Sequence, residues 1–175
     1  LLNKKTVCRF PSWEILPGEP VSPHIDIVSE RIEVLERLKR KETLIIISTI
    51  EALLQRVLAP EILDRLTLDV KTGDCVDRDR MISTLIKGGY KRTGLVEDRG
   101  EFSVRGGIVD IFPIAGTPPT RMEFIGEEIE TIREFSPETQ RSSEKRERTS
   151  ISPARETVFR DRETIIEELR GLKKK

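Results

Sequence analysis

Apolar residues recur at three- and four-residue intervals from Val28 through Ile32 and Leu35 to Leu38, the spacing that lines one face of a helix. That spacing predicts a helix from about Asp26, which can cap its N-terminus, to Lys39-Arg40-Lys41, whose charge suits the negative end of the helix dipole. The run Leu44-Ile45-Ile46-Ile47 breaks the period and reads as a short strand buried on both faces, as in a parallel sheet. Ser48 and Glu51 make a capping box, predicting a second helix to about Leu58 that Pro60 stops. Helix, buried strand and capped helix form the rhythm of an α/β layer. Ahead of it, Pro11, Pro17, Pro20 and Pro23 leave no room for a long element between Thr6 and Pro23.

The pattern changes near Leu66. Leu66, Leu68 and Val70 alternate as one face of a strand, and Lys71-Thr72-Gly73-Asp74 has turn chemistry. Asp77 can cap a helix carrying Met81, Ile82, Leu85 and Ile86, which Gly88-Gly89 ends. Beyond Tyr90 the period falls to two. Phe102 and Val104, then Ile108, Asp110 and Phe112, then Met122 and Phe124 mark successive strands, with Arg105-Gly106-Gly107 at a bend. A turn at Gly126 and a strand from Ile132 to Phe135 complete a hairpin. Arg141 to Thr149 reads as a charged, solvated linker, Thr149 to Ile151 as a short strand, and Ile165, Ile166, Leu169 and Leu172 mark a helix over Asp161–Leu172. The expected fold class is an α/β layer interrupted by a small α+β domain with an antiparallel sheet. The expected divisions are 1–65 for the first part of the layer, 66–148 for the inserted domain and 149–175 for the resumed layer.

Composition narrows the function. The 175 residues carry 31 Lys+Arg against 31 Asp+Glu, a formal net charge of zero. Sequence-independent grip on nucleic acid needs an excess of cations over phosphate, so a general nucleic-acid binder is not expected. Cys8 and Cys75 lie far apart and read as reduced thiols rather than a disulfide or zinc site. The longest apolar run, Leu44 to Ile47, is far shorter than a membrane span. The chain starts at Leu1 without methionine and reads as a piece of a longer, cytoplasmic polypeptide.

Catalytic chemistry finds no support. No Walker loop or dinucleotide fingerprint is present, and Gly88-Gly89-Tyr90-Lys91-Arg92-Thr93-Gly94 has the wrong order and follows a helix. His24, the single histidine, sits beside Pro23 where a packing role is the simpler reading. Asp74, Asp77 and Asp79 crowd together but lack the glycine and closing glutamate of a calcium loop. Neither cofactor nor metal is expected. What remains is a surface. Arg105 is flanked by glycines at a bend, and Arg121, Glu123 and Ile125 share one strand face while Met122 and Phe124 point inward. Arginine beside an aliphatic group suits an interface. On the residues alone, ordinary ion pairing on a solvated face is the weightier reading.

Longer strings change that balance. Trp13-Glu14-Ile15-Leu16-Pro17, Ser22-Pro23-His24-Ile25-Asp26-Ile27 and the run from Gly100-Glu101-Phe102 to Ile111-Phe112-Pro113 resemble the N-terminal module of bacterial transcription-repair coupling factors. So do Arg121-Met122-Glu123-Phe124, Glu128-Ile129-Glu130-Thr131-Ile132-Arg133, Thr139-Gln140-Arg141-Ser142 and Pro153-Ala154-Arg155-Glu156. The stretch from Gly100 to Pro113 is shared with the excision-repair protein UvrB, whereas the tryptophan and Ser-Pro-His segments are not, and the tyrosine-rich DNA-clamping hairpin of UvrB has no counterpart here. The resemblance implies a degenerate helicase-like layer (partial domains 1A and 1B) interrupted by a UvrB domain 2-like unit. It implies a non-catalytic module that recruits UvrA to lesions with stalled RNA polymerase; DNA, the polymerase and an ATP-driven translocase would engage through other parts of the parent protein. The implied UvrA contacts are Arg105, Arg121 and Glu123, with Ile125 beside them and Arg92 matching a UvrB contact less closely. Two positions depart from the pattern: Ile125 stands where an aromatic is common, and Ser103 where UvrB has arginine. The alternatives are an autoinhibitory surface within the parent chain, or a UvrB-like fragment that touches DNA.

Overall fold

The computed structural model describes residues 6–15 and 22–156. The helix expected over Asp161–Leu172 lies outside them. In the N-terminal part, β1 (Val7–Phe10) runs parallel to β2 (Ile45–Ser48), with Val7 opposite Ile45. Helix α1 (Ile25–Lys39) connects them and packs on β1. Its cap is His24 rather than Asp26: His24 Nδ1 accepts from the Asp26 N–H at 3.4 Å. Asp26 moves into the first turn, where a negative charge suits the dipole. Val28 and Ile32 bury against Leu58, Leu63 and Ile114, and Val34 against Phe10 and Ala52.

Four local expectations are corrected here. Ile45, Ile46 and Ile47 are 41%, 38% and 61% exposed rather than buried on both faces: α1 packs on β1, and β2 is an edge of the two-stranded sheet among the described residues. Thr49, not Ser48, caps α2 (Ile50–Leu54), its hydroxyl accepting from the Ala52 N–H at 3.2 Å. Ser48 instead donates to the Phe10 carbonyl at 2.8 Å and ties the two strands. Pro60 opens α3 (Pro60–Leu66) instead of closing α2, since its fixed φ and missing N–H suit a first turn. Leu66 therefore ends a helix, and the strand β3 is confined to Leu68–Lys71.

Asp77 caps α4 (Arg78–Lys87) as expected, its carboxylate accepting from the Arg80 N–H at 3.0 Å. Gly88 and Gly89 end the helix, Gly89 at a φ of +95° that favours glycine. Six strands then lie side by side in chain order: β4 (Lys91–Arg92), β5 (Glu101–Arg105), β6 (Ile108–Phe112), β7 (Thr120–Ile125), β8 (Glu128–Phe135) and β9 (Ser142–Arg146). Every neighbouring pair is antiparallel except β4 with β5. The linker expected at Arg141–Thr149 is largely strand. β9 pairs with β8 as an exposed edge, and its charged side chains suit an edge that must not recruit other strands. β10 (Arg148–Ile151) crosses back to pair antiparallel with β3.

The sheet has two unlike faces. Phe102, Val109, Ile111, Met122, Ile129 and Ile132 point inward onto Met81 and Leu85 of α4, Val70 of β3, Tyr90 and Ile151 of β10. Each such burial stabilises by about 1.5–3 kcal/mol, so this face holds the unit together. The alternate residues point outward and are free of that duty. Mixed helix and sheet with a largely antiparallel sheet is the class the fold presents.

Candidate partner-binding surface

The strand register assembles the outward face row by row. Ser103, Asp110, Arg121, Arg133 and Lys145 lie opposite one another across β5 to β9. In the next row stand Arg105, Ile108, Glu123 and Thr131. The bend that carries Arg105 needs both of its glycines. Gly106 adopts a φ of +58°, and a Cβ on Gly107 would stand 2.8 Å from the Phe124 carbonyl oxygen. That close approach lets the Phe124 N–H donate to the Gly107 carbonyl at 2.7 Å, just where β7 shifts register.

At the centre is Asp110, whose side chain is fully buried. Arg121 grips it with two hydrogen bonds, Nε to Oδ1 at 2.6 Å and Nη2 to Oδ2 at 2.9 Å. Arg105 Nη2 donates to the same Oδ2 at 2.7 Å. A buried carboxylate with two guanidinium partners is satisfied on both oxygens, which such a group requires to be tolerated in the fold. The two arginines differ in what they leave over. The Arg121 side chain is 11% exposed; its Nη1 also donates to the Gln140 carbonyl at 3.1 Å and Ser142 Oγ at 3.2 Å, and its plane lies over the Phe135 ring. Arg105 is 45% exposed and carries its remaining donors to solvent. The expectation of an exposed Arg121 is thus corrected, because Asp110 and the segment entering β9 absorb it. Its hydrogen bonds to Asp110 raise the Arg121 guanidinium above its ordinary range, against the opposing effect of burial.

Glu123 accepts from Thr131 Oγ1 at 2.8 Å and stands half-buried beside Arg121, and Ile125 is 65% exposed at the end of β7. Arg105, Arg121, Glu123 and Ile125 therefore gather on one face. Arg92 does not join them. It sits on β4 at the register of Phe102, a residue that points into the core. Asp110 was the residue that sequence reasoning passed over, although an aspartate alternating with Ile108 and Phe112 in an apolar strand signals a buried partner for nearby cations. Ser103, beside it in the row, is buried with no hydrogen-bond partner for its hydroxyl. The surface, spread over side chains of neighbouring strands, suits a flat, protein-sized contact more than a small molecule. Among the described residues no group of three or more His, Cys, Asp or Glu could hold a metal ion, and no helix is long and apolar enough to cross a membrane.

Comparison with known proteins places this surface in a family. The family described as "UvrB interaction domain" matches residues 68–156, just over half of the chain and the whole of the outward face. The chain is 36% identical to the transcription-repair-coupling factor of Haemophilus influenzae over 155 residues, which are 89% of this chain and 14% of that protein. The corresponding factor of Bacillus subtilis is 32% identical over 93% of this chain and 14% of its own length. That of Escherichia coli is 33% identical over 86% of this chain and 13% of its own. The chain thus spans about 14% of the length of the curated relatives it matches. It belongs to the UvrB interaction domain family, in the form carried by transcription-repair-coupling factors.

Proposed function

We propose that this chain is a non-catalytic recruitment module of transcription-coupled nucleotide excision repair, and that its partner is UvrA. The observation that carries the reading is the Arg105–Asp110–Arg121 cluster, with Glu123 and Ile125, on the face of the sheet that the fold does not need for its core. Arg105 offers an exposed cation to a partner carboxylate, Ile125 an apolar contact, and Glu123 a complementary negative charge. Arg121 holds Asp110 in place, so that Arg105 is held at a fixed angle. Pre-positioned charge of this kind favours one partner over others more than it adds raw affinity. On this reading the inserted unit over 66–148 is the binding domain. Residues 1–65 belong, on the same reading, to a degenerate helicase-like layer that orients it within the parent protein.

The test is co-elution of the chain with purified UvrA on gel filtration. A stable complex formed by the wild type and lost with Arg105→Ala supports the assignment. Separate elution of the well-folded wild type and UvrA at micromolar concentration contradicts it.

A further inference from the structure

The row that contains Arg121 is electrostatically unbalanced. Arg121 on β7, Arg133 on β8 and Lys145 on β9 stand directly opposite one another on one face, and like charges so placed across a sheet are destabilising. The carboxylate in that row, Asp110, is fully buried and already shared between Arg121 and Arg105. Among the described residues neither Arg133 nor Lys145 has a carboxylate within ion-pairing distance, whereas Arg146, on the alternate face of the same edge strand, pairs with Glu134. Glu123, one row away, is directed to Thr131. The chain thus balances the other face of β8 and β9 and leaves this one cationic.

We propose that Arg133 and Lys145 extend the binding surface across β8 to the β9 edge and receive a second acidic patch of the protein partner. This rests on the UvrA reading above and deepens it: the partner presents carboxylates at two places, one for Arg105 and one for the Arg133–Lys145 pair, with the satisfied Arg121–Asp110 pair between them. Charge complementarity favours an acidic protein surface over nucleic acid. Glu123, Ile108 and Ile125 stand beside the row on the same face and would repel or fail to engage a phosphate backbone. Among the described residues the aromatics of this face are poor platforms for bases, since Phe135 is covered and lies under Arg121 and Phe112 is half-buried.

The experiment measures UvrA affinity at two salt concentrations for wild type, Arg133→Glu and Lys145→Gln, with Arg56→Glu as a control away from the sheet. Thermal midpoints are read on the same samples. Arg133→Glu is expected to weaken UvrA binding about tenfold or more and to flatten its salt dependence. Its thermal midpoint should hold steady or rise, because a like-charge contact is relieved; a merely structural arginine would lower it. Lys145→Gln should act in the same direction and less strongly, and Arg56→Glu should match wild type. Unchanged binding by Arg133→Glu, with binding still lost in Arg105→Glu, overturns this proposal and leaves the UvrA reading standing. Absence of binding by the wild type overturns both. Wild-type binding to a duplex oligonucleotide that Arg133→Glu abolishes overturns the assignment to a protein partner.

Discussion

Arg31 and Asp110 are both fully buried charges, and the fold resolves them in opposite ways. Arg31 is an enclosed cation. Its Nε and Nη2 donate to the Glu156 carboxylate at 2.5 and 2.9 Å, its Nη1 to the Pro11 carbonyl at 2.6 Å and to Gln55 Oε1 at 3.2 Å. Phe10 and Trp13 rings stand over the guanidinium, 4.1 and 5.5 Å from its carbon. Glu156 is as enclosed as Arg31, so the charge is neutralised and nothing faces outward. Asp110 is an enclosed anion with two cations, and one of those, Arg105, reaches solvent. The first arrangement joins Pro11, α1, the end of α2 and residue 156 into one body. The second leaves a net positive charge held rigidly at a surface. Burial of a charge alone does not distinguish the two clusters; the charge left over after its partners are counted does.

Removing either buried charge should show the contrast most strongly in stability. Arg31→Ala strands the Glu156 carboxylate in an apolar enclosure and is expected to cost about 3–5 kcal/mol, read from urea denaturation, while folded protein keeps its affinity for UvrA. Asp110→Asn should cost less, about 1–3 kcal/mol, because Arg105 can turn to water, yet it should also weaken UvrA binding by releasing Arg105 from its fixed angle. Arg105→Gln reverses the balance. Stability should stay within about 1 kcal/mol of wild type, because Arg105 is itself solvated and Arg121 still bonds both Asp110 oxygens, while binding falls tenfold or more in a calorimetric titration.

The smallest effect sits at the far end of β5. Burial pushes the Glu101 carboxyl up, but the N–H groups of Glu97 and Asp98, both at 3.1 Å, and Lys91 at 3.4 Å together hold it below its usual range. A carboxyl lowered on folding contributes stability that is fully present above its unfolded pKa of about 4.3 and is lost as pH falls through the lowered folded value. Glu101→Gln should therefore be less stable than wild type at neutral pH and converge with it on acidification, as measured by thermal melts across pH 2–7. A gap that widens toward low pH would contradict this account of Glu101.

Much of the region from β3 to β10 was legible because its patterns are local. The Asp77 cap, the Gly88-Gly89 stop, the Arg105-Gly106-Gly107 bend and the inward Met122 and Phe124 each follow from a few neighbouring residues, and all stand where their spacing placed them. The β1–β2 pair was less so. Val7–Phe10 is four residues long, carries Arg9 and stops at Pro11, so its role as a parallel partner depends on residues 38 positions away. Ser48 against Thr49 as a cap turns on which hydroxyl β1 claims, again a distant contact. At the candidate surface, the shared face of Arg121, Glu123 and Ile125 follows from alternation. The capture of Arg121 by Asp110 needs the β6–β7 register, which no local pattern encodes. The unbalanced Arg121–Arg133–Lys145 row needs two registers more, and its last member lay in a stretch that composition alone marks as linker.

The most direct test is a calorimetric titration of UvrA into the wild-type chain and into Arg105→Glu, with urea denaturation confirming equal folding. The account predicts saturable binding by the wild type and none measurable for the variant at matched stability. Equal affinity of the two would contradict it and return the Asp110 cluster to a purely structural role like that of Arg31.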